Sequence, residues 1–509
     1  MNTQNFRTLE LHKILSLLER ECSNSYTKEL ALNLSPITDS DEIKTELMKT
    51  NEALALSSRY GTPLFLDVIN TDKSIDKAKN GGVLSMPELL LINRTLKNAC
   101  ELISWRNQTD EYTLLDELFE MLFDLSFLSK KISAAIISED EMSDDASPEL
   151  YSIRKSINRQ GIKIRESLEK LTKSSTVQKF LQDNIITIRD GRYVVPVKVE
   201  HKASVPGLVH ATSATGSTIF VEPMQVVDAN KEIAILKGRE LDEIQKILKS
   251  FSVEIADNAE QIKSSFRAIV KLNLYFAKAN LAAKMNACAP EIVDDGRILL
   301  NKARHPLIDK EKVVPVDFSI GFDYSTLVIT GPNTGGKTVI LKTIGLLTLM
   351  TMCGMLIPVS SGSIISVFNN IMVDIGDNQS IEQDLSTFSS HISNVNSIIE
   401  NADENTLVLL DEVGSGTDPV EGAALAVSMV ENLRRNNVKT VVTTHYQELK
   451  MYALDTPYVE NASCEFDVNT LSPTYRLIIG TPGKSNAFEI SKRLGVSDEI
   501  ISYAKSLLD

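Results

Sequence analysis

Thr326-Leu327-Val328-Ile329-Thr330-Gly331-Pro332-Asn333-Thr334-Gly335-Gly336-Lys337-Thr338 decides the fold of the C-terminal part of the chain. A short apolar strand runs into G-x-x-x-x-G-K-S/T, the loop that turns a strand into a helix around a phosphate. Glycines there let backbone N–H groups turn inward on phosphate oxygens, and the helix adds the positive end of its dipole. Gly331, Pro332, Asn333, Thr334, Gly335, Gly336, Lys337 and Thr338 are therefore expected to bind a nucleotide. In that arrangement Lys337 reaches the β- and γ-phosphates and the Thr338 hydroxyl ligates Mg2+. The stretch from Thr343 to Val359 carries no charge and is 17 residues long, close to the lower limit for a membrane span. Two glycines, a proline and three threonines interrupt it, and a helix leaving a phosphate loop lies inside an α/β core. It reads as a buried helix, with no membrane partner.

Two more strands of the same kind follow, at 406–410 (T-L-V-L-L) and 439–444 (K-T-V-V-T-T). Short apolar runs bounded by turns are typical of parallel strands covered on both faces. Residues 288–509 are thus expected to form one α/β domain. The strand at 406–410 ends in Asp411-Glu412. The first carboxylate is placed to hold magnesium and the second to orient or deprotonate an attacking water, a pair that specifies hydrolysis rather than binding alone. By itself His445, ending the strand 439–444, reads as a loop histidine within reach of a γ-phosphate. Ser386, in Asp384-Leu385-Ser386-Thr387-Phe388-Ser389-Ser390-His391, reads as a helix N-cap.

Upstream of Pro290 the texture changes. Leu, Ile and Phe recur at spacings of three and four in Leu9–Glu21, Ser40–Tyr60, Met86–Arg106 and Tyr112–Ile137, which predicts a helical bundle over 1–147. An acidic connector, Ser138 to Pro148, ends in Ser147-Pro148, an N-cap with proline in the first turn. The helix it opens, Pro148 to Gln182, holds seven Lys and Arg against two Glu between Arg154 and Lys173. Between Ile185 and Val226 the pattern alternates, with turns at Asp190-Gly191, Pro206-Gly207 and Thr215-Gly216, predicting a β-insertion of about four strands. A helical segment from Val227 to Ala287 follows, so residues 148–287 are two long helices carrying a β tip at 185–226.

With 509 residues and 43% hydrophobic side chains the chain is not intrinsically disordered. Cysteines at 22, 100, 288, 353 and 464 share no C-x-x-C or Cys/His spacing, which excludes a disulfide framework and a structural zinc site. No basic segment followed by an apolar one opens the sequence, and the expected location is the cytoplasm. Lys and Arg number 53 against 68 Asp and Glu, a net charge of −15 that argues against nonspecific coating of nucleic acid and makes any local basic face matter more.

Taken together G-P-N-T-G-G-K-T, D-L-S-T-F-S-S-H, L-V-L-L-D-E-V-G-S-G-T-D-P and T-T-H-Y, preceded by Arg304-His305-Pro306-Leu307, resemble the ATPase domain of the MutS family, whose core is of the ABC class. R-Y-V-V-P-V-K, G-S-T-I-F-V-E-P and G-K-S-N-A-F-E-I-S-K-R-L-G are similar to its bacterial type 2 branch, and the resemblance covers essentially the whole chain. It implies a homodimer in which ATP lies between the phosphate loop of one protomer and the Ser386-Thr387-Phe388 signature of the other. The loop Gly414–Pro419 would cross that interface, His445 would be a γ-phosphate switch, and Gln379 falls where such ATPases place a metal- or water-contacting side chain. The β tip and its helices would be the clamp and lever around a nucleic acid, with Arg189, Arg192, Lys198 and Lys202 as phosphate contacts, offset locally by Asp190 and Glu200.

The departures from the family are equally informative. No mismatch-reading domain opens the chain. The single Phe-x-Glu, Phe220-Val221-Glu222, lies in the β tip, where alternation predicts Phe220 in the core, and no mismatch role is expected of it. None of the six histidines precedes a glycine, so the His-Gly of the type 2 C-terminal nuclease is missing; either the sequence is truncated or the nuclease has been lost. The implied function is an ATP-driven clamp on branched or structured DNA that suppresses recombination. The alternative is a factor that binds and splits collided ribosomes with the same ATPase. Neighbours of the base are expected just before Arg304 or within 313–318, with no aromatic stacking partner evident.

Overall fold

The computed structural model describes residues 3–331, 336–376, 386–467, 472–483, 488, 491–492 and 495–507. Two compact units make up the chain. One comprises Met1–Phe65, Ser104–Glu120 and Ala268–Asp509, the other Leu66–Ile103 and Met121–Arg267.

In chain order the helices are α1 (Thr3–Thr8), α2 (Leu11–Glu21), α3 (Ser25–Leu32), α4 (Ser40–Tyr60), α5 (Asp72–Lys79), α6 (Met86–Arg106), α7 (Asp116–Phe119), α8 (Ser126–Ala135) and α9 (Pro148–Thr172). Strands β1 (Thr187–Arg189), β2 (Arg192–Lys198), β3 (Gly207–Thr212) and β4 (Thr218–Pro223) then precede α10 (Met224–Asp257) and α11 (Ala259–Met285). Ser147 caps α9 as its pattern predicts, accepting the Leu150 N–H at 3.0 Å. The helix stops at Thr172 instead of Gln182, where Ser174-Ser175-Thr176 favours local turns over helix. The segment 227–287 is likewise broken, at Asn258. Within 112–137 a second break falls before α8, where the Asp124 carboxylate accepts the Ser126 N–H.

The four tip strands form an antiparallel sheet in the order β1-β2-β4-β3. Asp190 and Gly191 both have positive φ (48° and 74°), the conformation that closes a two-residue hairpin between β1 and β2. One face, with Val195, Val197, Ile219 and Val221, packs on Ile164, Leu168, Val226 and Ile233 of the flanking helices. Phe220 does not join that core. Ile219 and Val221 fill it, so alternation turns Phe220 to the opposite face, where it is half-buried.

The other unit contains β5 (Glu291–Val293), β6 (Ile298–Ala303), β7 (Val316–Ile320), β8 (Thr326–Thr330), α12 (Lys337–Met352), β9 (Ile364–Ser366), β10 (Asn370–Asp374), α13 (Ser386–Asn401), β11 (Thr406–Leu410), α14 (Pro419–Arg435), β12 (Lys439–Thr444), α15 (Gln447–Asp455), β13 (Val459–Asp467) and β14 (Ser472–Ile479). Its main sheet runs β10-β11-β12-β8-β13-β14, parallel except for the β13–β14 hairpin. A smaller sheet, β5-β9-β6-β7, stands beside it.

These units differ from the three consecutive segments 1–147, 148–287 and 288–509. The reason lies in α12, whose apolar residues leave no polar face and must be covered all round. Leu9, Leu11, Ile14, Leu18, Ile43 and Leu47 from the N-terminus share its core with Ile344, Leu347 and Met350. The run Thr343–Val359 is thus interior, and among the described residues no helix is long and apolar enough to cross a membrane.

Candidate functional site

Parallel register brings the C-terminal ends of β8, β12 and β11 side by side: Thr330 pairs with Thr444, and Leu410 with Val442. That end of an open α/β sheet is where ligands bind. Gly331 leaves β8 there, and Gly336 opens α12 with φ 82°, in the left-handed region that glycine tolerates best. Space demands glycine at Gly336 as well, because a Cβ would stand 2.5 Å from the Tyr475 ring. Pro332, Asn333, Thr334 and Gly335 lie outside the described residues.

Lys337 is 2% exposed and its ammonium donates to the Gly331 carbonyl at 2.8 Å. It stands 3.1 Å from His445 Nε2, which accepts if the imidazole proton sits on Nδ1. Burial holds Lys337 below the ordinary lysine range, opposed by the Glu412 and Asp411 carboxylates nearby. Thr338 donates its hydroxyl to Asp411 Oδ2 at 2.6 Å, and the Thr443 hydroxyl donates to Asp411 Oδ1. Thr443 Oγ1 also accepts the Glu412 N–H at 2.9 Å. Glu412 adopts φ 50°, a left-handed conformation costing roughly 1–2 kcal/mol in a residue with a Cβ. That turn reverses the chain immediately after Asp411 and leaves Glu412 Oε1 3.4 Å from His445 Nε2. Lys337, Thr338, Asp411, Glu412 and His445 are therefore one constellation. Gln379 is outside the described residues, and of Ser386 the backbone alone is described, at the start of α13.

Among the described residues no group of three or more His, Cys, Asp or Glu is placed to hold a metal ion. Thr338 and Asp411 fit magnesium differently. A hydroxyl and a carboxylate already in hydrogen-bond contact offer a hard cation two oxygens, leaving its other positions to water and phosphate.

Beside the start of α12 lies a cavity of about 280 Å³. Ala303, Val313 and Val316 line it, from the two stretches where base neighbours are expected, together with Val339. Its aromatic members escape sequence reading. Tyr475, from the hairpin strand β14, and His305 both face the cavity. Tyr475 has φ 59°, and its ring lies over Gly336. His305 is buried, and that burial pushes its pKa down, favouring the uncharged ring.

On the β tip, Arg189 is exposed with its guanidinium 4.6 Å from the Phe220 ring centroid. Arg192 is engaged from within: Nη1 lies 3.1 and 3.3 Å from the two oxygens of Glu222, a fully buried carboxylate that also holds His210. Glu222, in addition to Asp190 and Glu200, is thus the local counter-charge. Lys198 is half-buried and Lys202 exposed, on the turn after β2. The basic helix α9 is partly neutralised, Arg154 pairing with Glu240 at 2.7 Å and Asp144 at 2.5 Å.

A strand, a glycine-bounded loop, a buried lysine and an acidic neighbouring strand define an α/β domain of the phosphate-loop type. The family model for MutS domain V matches residues 327–509. Endonuclease MutS2 of Acetivibrio thermocellus is 47% identical over 512 residues, a match covering all of this chain and 65% of that protein. Endonuclease MutS2 of Clostridium botulinum (strain Alaska E43 / Type E3) is 46% identical over 511 residues, again covering 100% and 65%. The chain belongs to the MutS family, in its type 2 branch, and spans about 65% of the length of these relatives.

Proposed function

We propose that the chain is an ATPase whose hydrolysis drives a dimeric clamp on nucleic acid. The observation that carries this reading is the gathering of Lys337, Thr338, Asp411, Glu412 and His445 at three adjacent strand ends. The backbone at Gly331 and Gly336 and the Lys337 ammonium receive the phosphates, and the base enters the cavity between His305 and Tyr475. Magnesium, held by Thr338 and Asp411, would neutralise charge on the β- and γ-phosphates. Thr443 fixes Asp411 and, through the Glu412 peptide, the turn that presents the Glu412 carboxylate to water. Glu412 accepts the proton of that water, and His445 is placed to sense the γ-phosphate.

The ABC-class arrangement, with Ser386-Thr387-Phe388 of one protomer completing the other's site, belongs to the same proposal. So does the assignment of 148–287 to a lever with a clamp at 185–226. Mixing inactive Lys337→Ala and Ser386→Ala chains tests the shared site: recovered turnover supports it, and none, where subunits demonstrably exchange, refutes it. The proposed partner is branched or structured DNA, in suppression of recombination. Retention of a labelled four-way junction, measured beside co-sedimentation with ribosomes at matched salt, tests that choice; binding to ribosomes alone would favour ribosome splitting instead.

A further inference from the structure

α13 carries His391 and Asn394 three residues apart, hence on one face of the helix. Both close on a single carboxylate. His391 Nδ1 lies 2.9 Å from Asp374 Oδ2, and Asn394 Nδ2 donates to Asp374 Oδ1 at 2.8 Å and to the Val373 carbonyl at 3.1 Å. Asp374 is the last residue of β10 and only 7% exposed, and its own carbonyl accepts the Asp411 N–H at 2.8 Å. A buried carboxylate needs its hydrogen bonds, so two donors from one helix tie that helix to the strand end. Gly376 makes the approach possible, since a Cβ there would stand 2.8 Å from His391 Cε1. Contacts therefore run without a gap from the helix that starts at Ser386, through Asp374, to the peptide of Asp411.

We propose that His391 is a positioning residue for the metal site: with Asn394 it grips Asp374 and thereby holds Asp411 in register with α13. This rests on the ATPase reading above, and it assigns a task to two residues that act through Asp374. A merely structural pair would lower stability and leave the metal site of the folded protein alone.

The test compares wild type with His391→Phe, Asn394→Ala and His391→Asn, whose amide nitrogen takes the place of Nδ1. Two quantities are read: Mn2+ affinity in the presence of a non-hydrolysable ATP analogue, and the free Mg2+ giving half-maximal ATP turnover. Both should weaken about 5–10-fold in His391→Phe and in Asn394→Ala, with ATP affinity in chelator within twofold of wild type, and His391→Asn should recover most of the loss. Should His391→Phe fail to fold, Asn394→Ala carries the same comparison. A folded variant with a lower melting temperature but unchanged metal dependence overturns the proposal, and so does failure of His391→Asn to recover. Turnover that is indifferent to Lys337→Ala would instead refute the ATPase reading and this inference with it; Lys337-dependent turnover indifferent to His391 refutes this inference alone.

Discussion

Two groups of charged side chains, at the ends of β8, β11 and β12 and on the sheet β1–β4, are held in opposite ways. At the strand ends each is fixed from behind: Lys337 by a carbonyl, Asp411 by two hydroxyls, Glu412 by a left-handed turn tied to Thr443. On the tip, Arg189 and Lys202 are exposed, and the pair that is fixed, Arg192 with Glu222, is neutralised. Chemistry on a phosphate needs donors preorganised to fractions of an ångström, whereas contact with a flexible polyanion needs charge within reach. Fixed and reachable charge therefore predict different losses on substitution.

The largest should come from Glu412→Gln, which removes a base without removing a binding group: turnover falls about 10²–10⁴-fold while ATP affinity stays within a few-fold. Equal losses in both would return Glu412 to the class of binding residues. Next, Lys337→Ala removes a charge-assisted hydrogen bond to phosphate and should weaken ATP binding by about 1.5–3 kcal/mol, read by titration calorimetry. Unchanged affinity would mean that the buried lysine serves the fold. Tyr475→Ala should cost about 1–3 kcal/mol of base stacking and Tyr475→Phe almost nothing; equal affinities for both variants would empty the cavity of its assigned ligand.

On the tip, replacing Arg189, Lys198 and Lys202 together should flatten the slope of log K against log salt by about 0.9 per lost contact on duplex DNA, with basal ATP turnover unaltered. Arg192→Ala should barely move that slope but should destabilise the tip by about 1–3 kcal/mol, since it takes a partner from a buried carboxylate. The reverse pattern, a changed slope at Arg192 and none in the triple variant, would exchange their roles.

What the sequence discloses follows the same division. Fully buried parallel strands are uninterrupted apolar runs, so 326–330, 406–410 and 439–444 stand out with their observed bounds, and the phosphate-loop residues are fixed by their neighbours in sequence. Tyr475 could not be found that way: it reaches the cavity because the β13–β14 hairpin brings it back beside α12, and no spacing rule connects it to Gly336. Glu222 was equally hidden. Alternation puts it opposite Val221, on the face of Phe220, but nothing in the spacing discloses that a carboxylate there is fully buried, which depends on Arg192 and His210 from neighbouring strands. The breaks at Thr172 and Asn258 rest on short polar stretches whose competition with helix is a matter of tenths of a kcal/mol, on the order of propensity differences.

The cover that α2 lends to α12 also sets a timetable. Gly345 has room for no side chain because Leu9, just ahead of α2, and Leu409 of β11 fill the space, a Cβ there standing 2.7 Å from each. During synthesis Leu9 and Gly345 are roughly 340 positions apart, which at ~5–20 residues per second is on the order of 15–70 s. Nearly all of Leu66–Arg267 leaves the ribosome within that interval and can fold, while the apolar faces of α2 and α4 wait for α12. A nascent chain with such a delay is expected to lean on chaperones, and a fragment starting near residue 327 would meet the same exposed helix without its cover.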